Sequence, residues 1–338
     1  MKRKQSGLRI MSRLIVLVKP LSGFMCLAVL LGVLGFLCAI QITVAGSLTL
    51  LTAAKISGGI AIKTGCICII IFAVLRGFLH YGEQACNHYI AFKLLALIRD
   101  KVFKAMRRLS PAKLEGKDKG NLVSVITSDI ELLEVFYAHT ISPTCIAILT
   151  CLIMLIFIGR YSIWLSLVAL AAYITVGAVI PLVSSRLNKN AGMTYRDGSG
   201  ALSGFVLDSM RGLLESIRYN STGKRLEEMD KKTDELNSLQ DRLKKIEGHT
   251  GAVTDIAIIF FSVAMLLTGI ALYQKGVIGF DGMIVSTVSM MSSFGPVAAL
   301  SGLAGNLTHT LAAGERVLGI LDENPCLLYT SPSPRDRS

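Results

Sequence analysis

The chain has 338 residues, of which 52% are hydrophobic and 17% charged, and its mean hydropathy is +0.58. A soluble globular domain could not bury the long apolar blocks in which these residues fall, so that class is excluded. The net charge of +12 comes largely from Lys and Arg beside the blocks, which favours membrane orientation and argues against a nucleic-acid partner. The eight cysteines have neither a disulfide framework nor zinc-binding spacing, so no metal site is predicted.

The chain begins with a basic and apolar segment, residues 1–20, which predicts a cytoplasmic or interfacial elbow helix that ends near Pro20. A spanning helix needs about 20 mostly apolar residues. Residues 21–311 contain six such blocks and predict an all-α membrane protein with six transmembrane helices. The blocks are residues 21–45, 61–81, 141–158, 164–183, 252–273 and 279–303.

Two long polar stretches, residues 92–140 and 185–250, separate these blocks on one side. Both are rich in Lys and Arg, as is the N-terminus, so they should be cytoplasmic together with both chain termini. The second block runs on without a helix breaker until Pro111. About 50 residues in one helix reach about 75 Å, more than twice the bilayer core. We therefore expect a multi-pass protein of the cell membrane with helices that project far into the cytoplasm.

A stripe of polar residues interrupts the second apolar block. Arg76, His80, Glu83 and Asn87 follow one another at spacings of four, three and four residues, which places them on one helix face. Charged groups inside a bilayer are costly and mark functional sites by default. Two interpretations stay open: the stripe lines a cavity and contacts a polar substrate, or it forms an internal ion pair that locks helix packing.

Two segments outside the apolar blocks carry a family resemblance. Residues 119–129 read Lys-Gly-Asn-Leu-Val-Ser-Val-Ile-Thr-Ser-Asp, which resembles Thr-Gly-x-Leu-x-Ser-Arg-x-x-x-Asp with Val125 in place of Arg. Residues 312–325 read Ala-Ala-Gly-Glu-Arg-Val-Leu-Gly-Ile-Leu-Asp-Glu-Asn-Pro. This resembles the bridge of ABC exporters into their nucleotide-binding domain. With six extended spans, the chain resembles the type 1 transmembrane domain of that family.

A third segment, residues 80–99, points to a subfamily. It is similar to the Arg-Tyr-x-Glu-Arg-x-x-x-His-x-x-x-Phe-x-Leu-Leu-x-x-x-Arg run of cysteine and glutathione exporters of the cytochrome bd assembly type. His80 and Gln84 stand where those exporters have arginines. His88 matches the motif histidine and is a further candidate for the substrate cavity.

The resemblance implies an ATP-driven half-transporter that pairs with a second half, homodimeric or heterodimeric, and binds ATP and Mg through a nucleotide-binding domain. The given sequence has no phosphate-binding Gly-x-x-x-x-Gly-Lys-[Ser/Thr] motif, since its two Gly-Lys pairs end at Lys117 and Lys224 and are followed by Asp118 and Arg225. No catalytic residue is therefore predicted here, and ATP hydrolysis is expected of the full-length protein. We interpret residues 312–325 as the start of a linker to an absent domain. Residues 326–338 match a translated sequencing adapter and are left out of the fold prediction.

The same resemblance implies that two cytoplasmic turns pass ATPase movement to the membrane helices. The side chains that we expect to dock are Leu114, Glu115, Met210, Arg211 and Leu214. Two other functions remain as alternatives. A secondary transporter would require an inverted repeat and broken helices at mid-membrane, which the sequence does not display. A six-span sensor or scaffold would leave the long cytoplasmic helices without a purpose.

Overall fold

A computed structural model describes residues 7–17, 19–56, 60–110, 125–301 and 304–323. Every regular element within those ranges is helical, as the sequence predicts. The helices are α1 (Gly7–Leu17), α2 (Ser22–Ala53), α3 (Ile62–Leu109), α4 (Ile130–Phe136), α5 (Ser142–Gly159), α6 (Ile163–Ile174), α7 (Ile180–Arg211), α8 (Leu213–Arg218), α9 (Thr222–Gln274), α10 (Phe280–Ser292), α11 (Phe294–Ser301) and α12 (Ala304–Leu321).

Six stretches of helix among the described residues are long and apolar enough to cross a membrane. This confirms the predicted all-α membrane fold. The stretches are Lys19–Ala53, Ile62–Leu109, Ser142–Gly159, Ile163–Arg186, Thr222–Gln274 and Phe280–Leu300. Large apolar side chains on them stay exposed in the single chain, for example Phe78 at 73% and Ile156 at 71%. Lipid or a second protein subunit is the environment that such surfaces require.

Helices α3 and α9 are far longer than a bilayer. With 48 and 53 residues they reach about 72 and 80 Å at 1.5 Å per residue. Helix α3 stops at Leu109 because Ser110 precedes Pro111 and takes an extended backbone, with φ −77° and ψ 147°. A residue before proline is pushed out of the helical region by the proline ring. Because both helices are longer than a bilayer is thick, they must extend beyond the membrane, as the sequence predicts.

The fourth span is one irregular helix made of α6 and α7. A wide turn at Thr175–Val179 joins them, and Pro181 stands in the first turn of α7. Proline has no amide hydrogen to donate, so the helix must loosen its hydrogen bonding in the preceding turn. Wide turns also lie at Val125–Asp129 and Tyr137–Ile141, on either side of α4.

Buried apolar side chains form two clusters. One joins α2, α5, α6, α9, α10 and α11 and includes Ile158, Leu165 and Met265. The other joins α1, α3, α4 and α12 and includes Leu14 and Leu133. The polar arms of α7 and α9 pack against each other and are joined through α8. The molecule therefore has a membrane-spanning core, a second core around α1 and α12, and a long hairpin with α8 at its end.

Candidate functional site

The polar stripe of α3 faces a small cavity between α2 and α3. Arg76, His80 and Glu83 line this cavity of about 70 Å³ from one side. Its other wall is α2, which contributes Gly32, Gly35 and Phe36. Three of the residues that share a helix face by their spacing therefore line one cavity. The residues of α2 that form its other wall were not predicted from the sequence.

Glu83 is the buried centre of the stripe, with a residue exposure of 6%. Its Oε2 lies 3.1 Å from Nδ1 of His80, and its Oε1 accepts a hydrogen bond of 3.4 Å from Nδ2 of Asn87. Because a carboxylate can only accept, the Asn87 amide must turn its NH₂ group toward Glu83. Its Oδ1 is then buried without a hydrogen-bond partner among the described residues. The carboxylate is held by neighbours on its own helix, one turn away on each side.

Arg76 and Glu83 share the cavity but do not form an ion pair within the described part of the chain. Glu83 instead contacts His80 and Asn87 of its own helix, so neither contact joins α3 to another helix. Arg76 and His80 are exposed in the single chain, so the cavity opens toward a face that α3 does not share with α2. The arrangement places a buried carboxyl group and an accessible guanidinium at one small cavity.

His88 does not reach this cavity. Five residues along a helix turn the side chain by about 140° relative to Glu83, so His88 points to another face. It is exposed and stacks on Phe92, with ring centroids 6.2 Å apart. The sequence motif identified the residue without its direction, and the structure places His88 outside the cavity between α2 and α3.

Gly32 explains how a carboxylate can be buried between α2 and α3. A Cβ on Gly32 would lie 2.3 Å from Cδ1 of Ile146 and 3.3 Å from Cδ of Glu83. Any other residue would push Ile146 of α5 or Glu83 aside. Small residues at helix contacts allow close backbone approach in membrane proteins. Gly32 thus sets the depth at which Glu83 sits.

Three of the predicted coupling residues lie at the end of the hairpin, Met210 and Arg211 in the last turn of α7 and Leu214 at the start of α8. Met210 is 71% exposed and Leu214 is 77% exposed, and Arg211 is exposed as well. Leu213, Ile217 and Tyr219, which lie in or directly after α8, are exposed as well. The other two candidates, Leu114 and Glu115, lie outside the described residues.

Phe205 braces the hairpin next to α8. The guanidinium carbon of Arg225 lies 5.5 Å from the ring centroid of Phe205, and Nζ of Lys232 lies 5.4 Å from it. Arg225 also donates from Nη1 to Oγ of Ser209 at 2.9 Å. Both cations stand on α9 and the ring on α7, so the contacts fix the two arms against each other.

Asp129 and Arg316 join the two segments that carry the family resemblance. Arg316 donates from Nε to Oδ2 of Asp129 at 2.6 Å, and its Nη2 donates to Oδ1 of the same carboxylate. This fork is the bidentate geometry that suits arginine and carboxylate. The hydrogen bond to Asp129 raises the pKa of Arg316, against the lowering effect of burial. The two residues lie in separate sequence motifs, and the sequence did not predict that they pair.

Comparison with known proteins agrees with this architecture. The family description "ABC transporter transmembrane region" matches residues 24–297. A Haemophilus influenzae relative named "Probable ABC transporter ATP-binding/permease protein" is 42% identical over 322 residues, which cover 95% of this chain and 58% of the relative.

More distant relatives differ in their named cargo. The "Glutathione/L-cysteine transport system ATP-binding/permease protein CydC" of H. influenzae is 22% identical over 263 residues, 76% of this chain and 45% of that protein. An "ATP-dependent lipid A-core flippase" of Shewanella frigidimarina is 29% identical over 123 residues, 36% of this chain and 20% of that protein. The chain spans about half the length of the first two relatives. With six apolar spans and a family match over residues 24–297, the chain belongs to the ABC transporter transmembrane regions.

Proposed function

We propose that this chain is the permease portion of an ATP-driven exporter in the cell membrane. The observation that carries the proposal is the hairpin of α7, α8 and α9, which extends from the apolar spans and ends in exposed apolar side chains. A helical hairpin that extends this far from the spans is explained if a partner protein binds its end. A nucleotide-binding domain with ATP and Mg is the partner that the family supplies, and both chain termini lie on its side in this proposal.

A second half encloses the transport pathway in the proposed assembly. Helix α3 exposes Ile70, Val74, Phe78 and Tyr81 along the same span that carries the polar stripe. A second copy or a similar chain facing this surface removes Arg76 and His80 from the lipid and turns the cavity into part of a shared pathway. Charged groups in a membrane face protein or water, which this arrangement provides.

The cargo in this proposal is a small polar or amphiphilic molecule, and thiols such as cysteine and glutathione are the first to test. Support comes from the charged groups at the cavity and from the transport system for which the CydC relative is named. Glu83 offers acceptors to an amine, and Arg76 offers donors to a carboxylate. Polar groups placed this sparingly fix the orientation of a ligand whose remainder packs on apolar walls such as Phe36.

The first test is the complete reading frame, sequenced past the codon for Pro325. We expect a nucleotide-binding domain with a Walker motif to follow, or a separate ATPase gene nearby. A chain that functions with no ATPase at all would refute the proposed exporter and favour the sensor or scaffold alternative.

The second test separates coupling from folding. In the complete transporter in proteoliposomes, the double substitution Met210→Ala and Leu214→Ala should lower transport per ATP hydrolysed by about tenfold, as expected for central residues of a docking surface. Expression and thermal stability should not change, because both side chains are more than 70% exposed. The matched control is Ile256→Ala, an apolar residue of α9 that is 66% exposed but far from α8. An unchanged ratio in the double variant, or an equal loss in the control, contradicts the assignment.

A further inference from the structure

Helix α1 is attached to the other end of the described chain. Arg13 donates from Nη1 to Oδ2 of Asp322 at 2.5 Å and from Nη2 to Oδ1 at 2.6 Å. The two residues are 309 positions apart in sequence, and Asp322 directly follows α12. Both side chains are about one third exposed, at 35% and 39%. A bidentate pair of this kind fixes the relative orientation of the guanidinium and the carboxylate as well as the distance between them.

A second polar contact joins α1 to the segment after α4. The hydroxyl of Tyr137 donates to the backbone carbonyl of Leu14 at 2.9 Å. Tyr137 is 1% exposed, and its burial raises the pKa of the phenol, so the hydroxyl stays protonated and able to donate. Because Tyr137 begins the wide turn that leads into α5, this contact reaches the entrance of the third span.

An apolar seam lies between these two contacts. Ile10 and Leu14 of α1 are 3% and 0% exposed and belong to the same cluster as Leu133 of α4. Gly314 of α12 allows the close approach, since a Cβ there would lie 2.9 Å from Cδ1 of Leu14 and 3.4 Å from Cγ2 of Ile10. The sequence predicted an interfacial anchor for this segment, whereas one face of α1 is packed on protein.

The contacts close a ring of three helices. Helix α1 holds the end of α12 through Arg13, α12 holds the start of α4 through Arg316 and Asp129, and the turn after α4 holds α1 through Tyr137. We propose that α1 is a strap that ties α12 to α4 so that the three helices move as one body. The device needs no ligand and is built from residues near opposite ends of the described chain.

The strap has a mechanical consequence that rests on the proposed function. If an ATPase acts on the chain beyond α12, the end of α12 could bend without moving the spans, because the Arg316 pair lies six residues before Asp322. With α12 fixed to α1 and α4, its displacement is passed to the turn at Tyr137–Ile141 and on to α5. Arg13 is a positioning residue in this scheme, since it touches α12 and no site in the membrane.

Hydrogen exchange tests the strap without reference to transport. The full chain is placed in lipid nanodiscs, and backbone exchange is compared for wild type, Arg13→Glu and the matched control Arg9→Glu. Arg9 is exposed, stands on the same helix and has no ion pair within the described residues. We expect Arg13→Glu to raise exchange of α1, α12 and α4 together by about fivefold, the effect of losing a partly exposed ion pair. Helix α6 serves as the internal reference and should not change.

A charge exchange separates the pair from general damage to the fold. The double variant Arg13→Glu and Asp322→Arg should restore at least half of the lost protection, because it rebuilds a forked pair with reversed sign. Faster exchange in α1 alone, an equal effect of Arg9→Glu, or no rescue by the double variant would each overturn the strap.

Transport assays then distinguish the strap from the proposed function. If the complete transporter exports cargo, Arg13→Glu should lower transport per ATP hydrolysed and the charge exchange should recover it. An unchanged ratio together with the expected exchange pattern would overturn the mechanical role of the strap, while the exporter itself would stand. If wild type hydrolyses no ATP and exports nothing, the proposed function fails, and the exchange experiment alone decides whether the three helices form one body.

Discussion

The ion pair between Arg316 and Asp129 should respond unequally to loss of its two partners. The side chain of Asp129 is 2% exposed and that of Arg316 is 54% exposed. Replacing Arg316 by Met leaves a buried carboxylate without its counterion, which costs about 3–5 kcal/mol when both partners are buried. The half-exposed guanidinium shows that water can approach, so we expect about 2–3 kcal/mol here.

Replacing Asp129 by Asn should cost much less. The remaining guanidinium is half exposed and can be hydrated, so about 1 kcal/mol is expected from the lost charged hydrogen bonds. The double variant should resemble Asp129→Asn alone, because the uncompensated carboxylate is gone. The difference between the single variants, about 1–2 kcal/mol, is thus the cost of the unpaired charge.

Equilibrium unfolding in mixed micelles, followed by helical circular dichroism, measures these free energies. The pair Lys104 and Asp100 on α3 provides the control, since both side chains are more than half exposed and lie one helical turn apart. Lys104→Met should cost no more than about 0.5 kcal/mol. Equal losses for Arg316→Met and Asp129→Asn, or a loss for Lys104→Met as large as that for Arg316→Met, would refute the reasoning from burial.

Two further predictions concern helix contacts and use the same unfolding measurement. Gly32→Ala should destabilise the chain by about 1–3 kcal/mol through the clash with Ile146, and adding Ile146→Val should recover part of it, since Cδ1 is removed. Gly77→Ala meets no atom within 4 Å and should be neutral or stabilising, so a loss equal to that of Gly32→Ala would contradict the clash. Phe205→Ala should cost about 1–2 kcal/mol for two cation contacts and speed proteolysis of the hairpin. Leu207→Ala, half exposed on the same helix, should do neither, and equal effects would refute the brace.

The sequence predicted those features that depend on one helix at a time. The apolar blocks located six spans, and the lack of a breaker before Pro111 predicted the length of α3. The spacing of Arg76, His80 and Glu83 predicted a shared face, and the structure places them on one cavity. Helical periodicity fixes the direction of a side chain relative to its own axis, which is all that these predictions need.

Features that depend on which helices meet were not predicted. Asp129 and Arg316 are 187 positions apart, and the sequence has no local pattern that relates them. Arg13 and Asp322 are separated even further. The basic residues of α1 suggested a surface anchor, and its sequence does not indicate that Ile10 and Leu14 are buried against protein. His88 was assigned by motif position, and its direction around the helix was not considered. Tertiary pairing of distant polar residues is information that a single sequence does not carry locally.

The six spans and the cluster of α1, α4 and α12 are stabilised by different interactions. Between the spans, the contacts are close glycine packing at Gly32 and hydroxyl pairs such as Thr43 with Ser292 at 2.7 Å and Ser184 with Thr250 at 2.7 Å. Within lipid there is little hydrophobic force between helices, and such hydroxyl bonds contribute only about 0.6 kcal/mol on average.

Helices α1, α4 and α12 lie outside the six apolar stretches, so the full burial of Leu14 and Leu133 stabilises their cluster through the hydrophobic effect, and forked ion pairs fix its orientation. In the proposed exporter, the weak contacts between the spans would allow them to exchange partners during a transport cycle, whereas the proposed strap would make the cluster of α1, α4 and α12 resist bending. For a displacement of α12 to rearrange the spans, the cluster of α1, α4 and α12 must be more rigid than the contacts between the spans. If the cluster were the more flexible part, α12 would bend instead, and the cavity at Glu83 would not move.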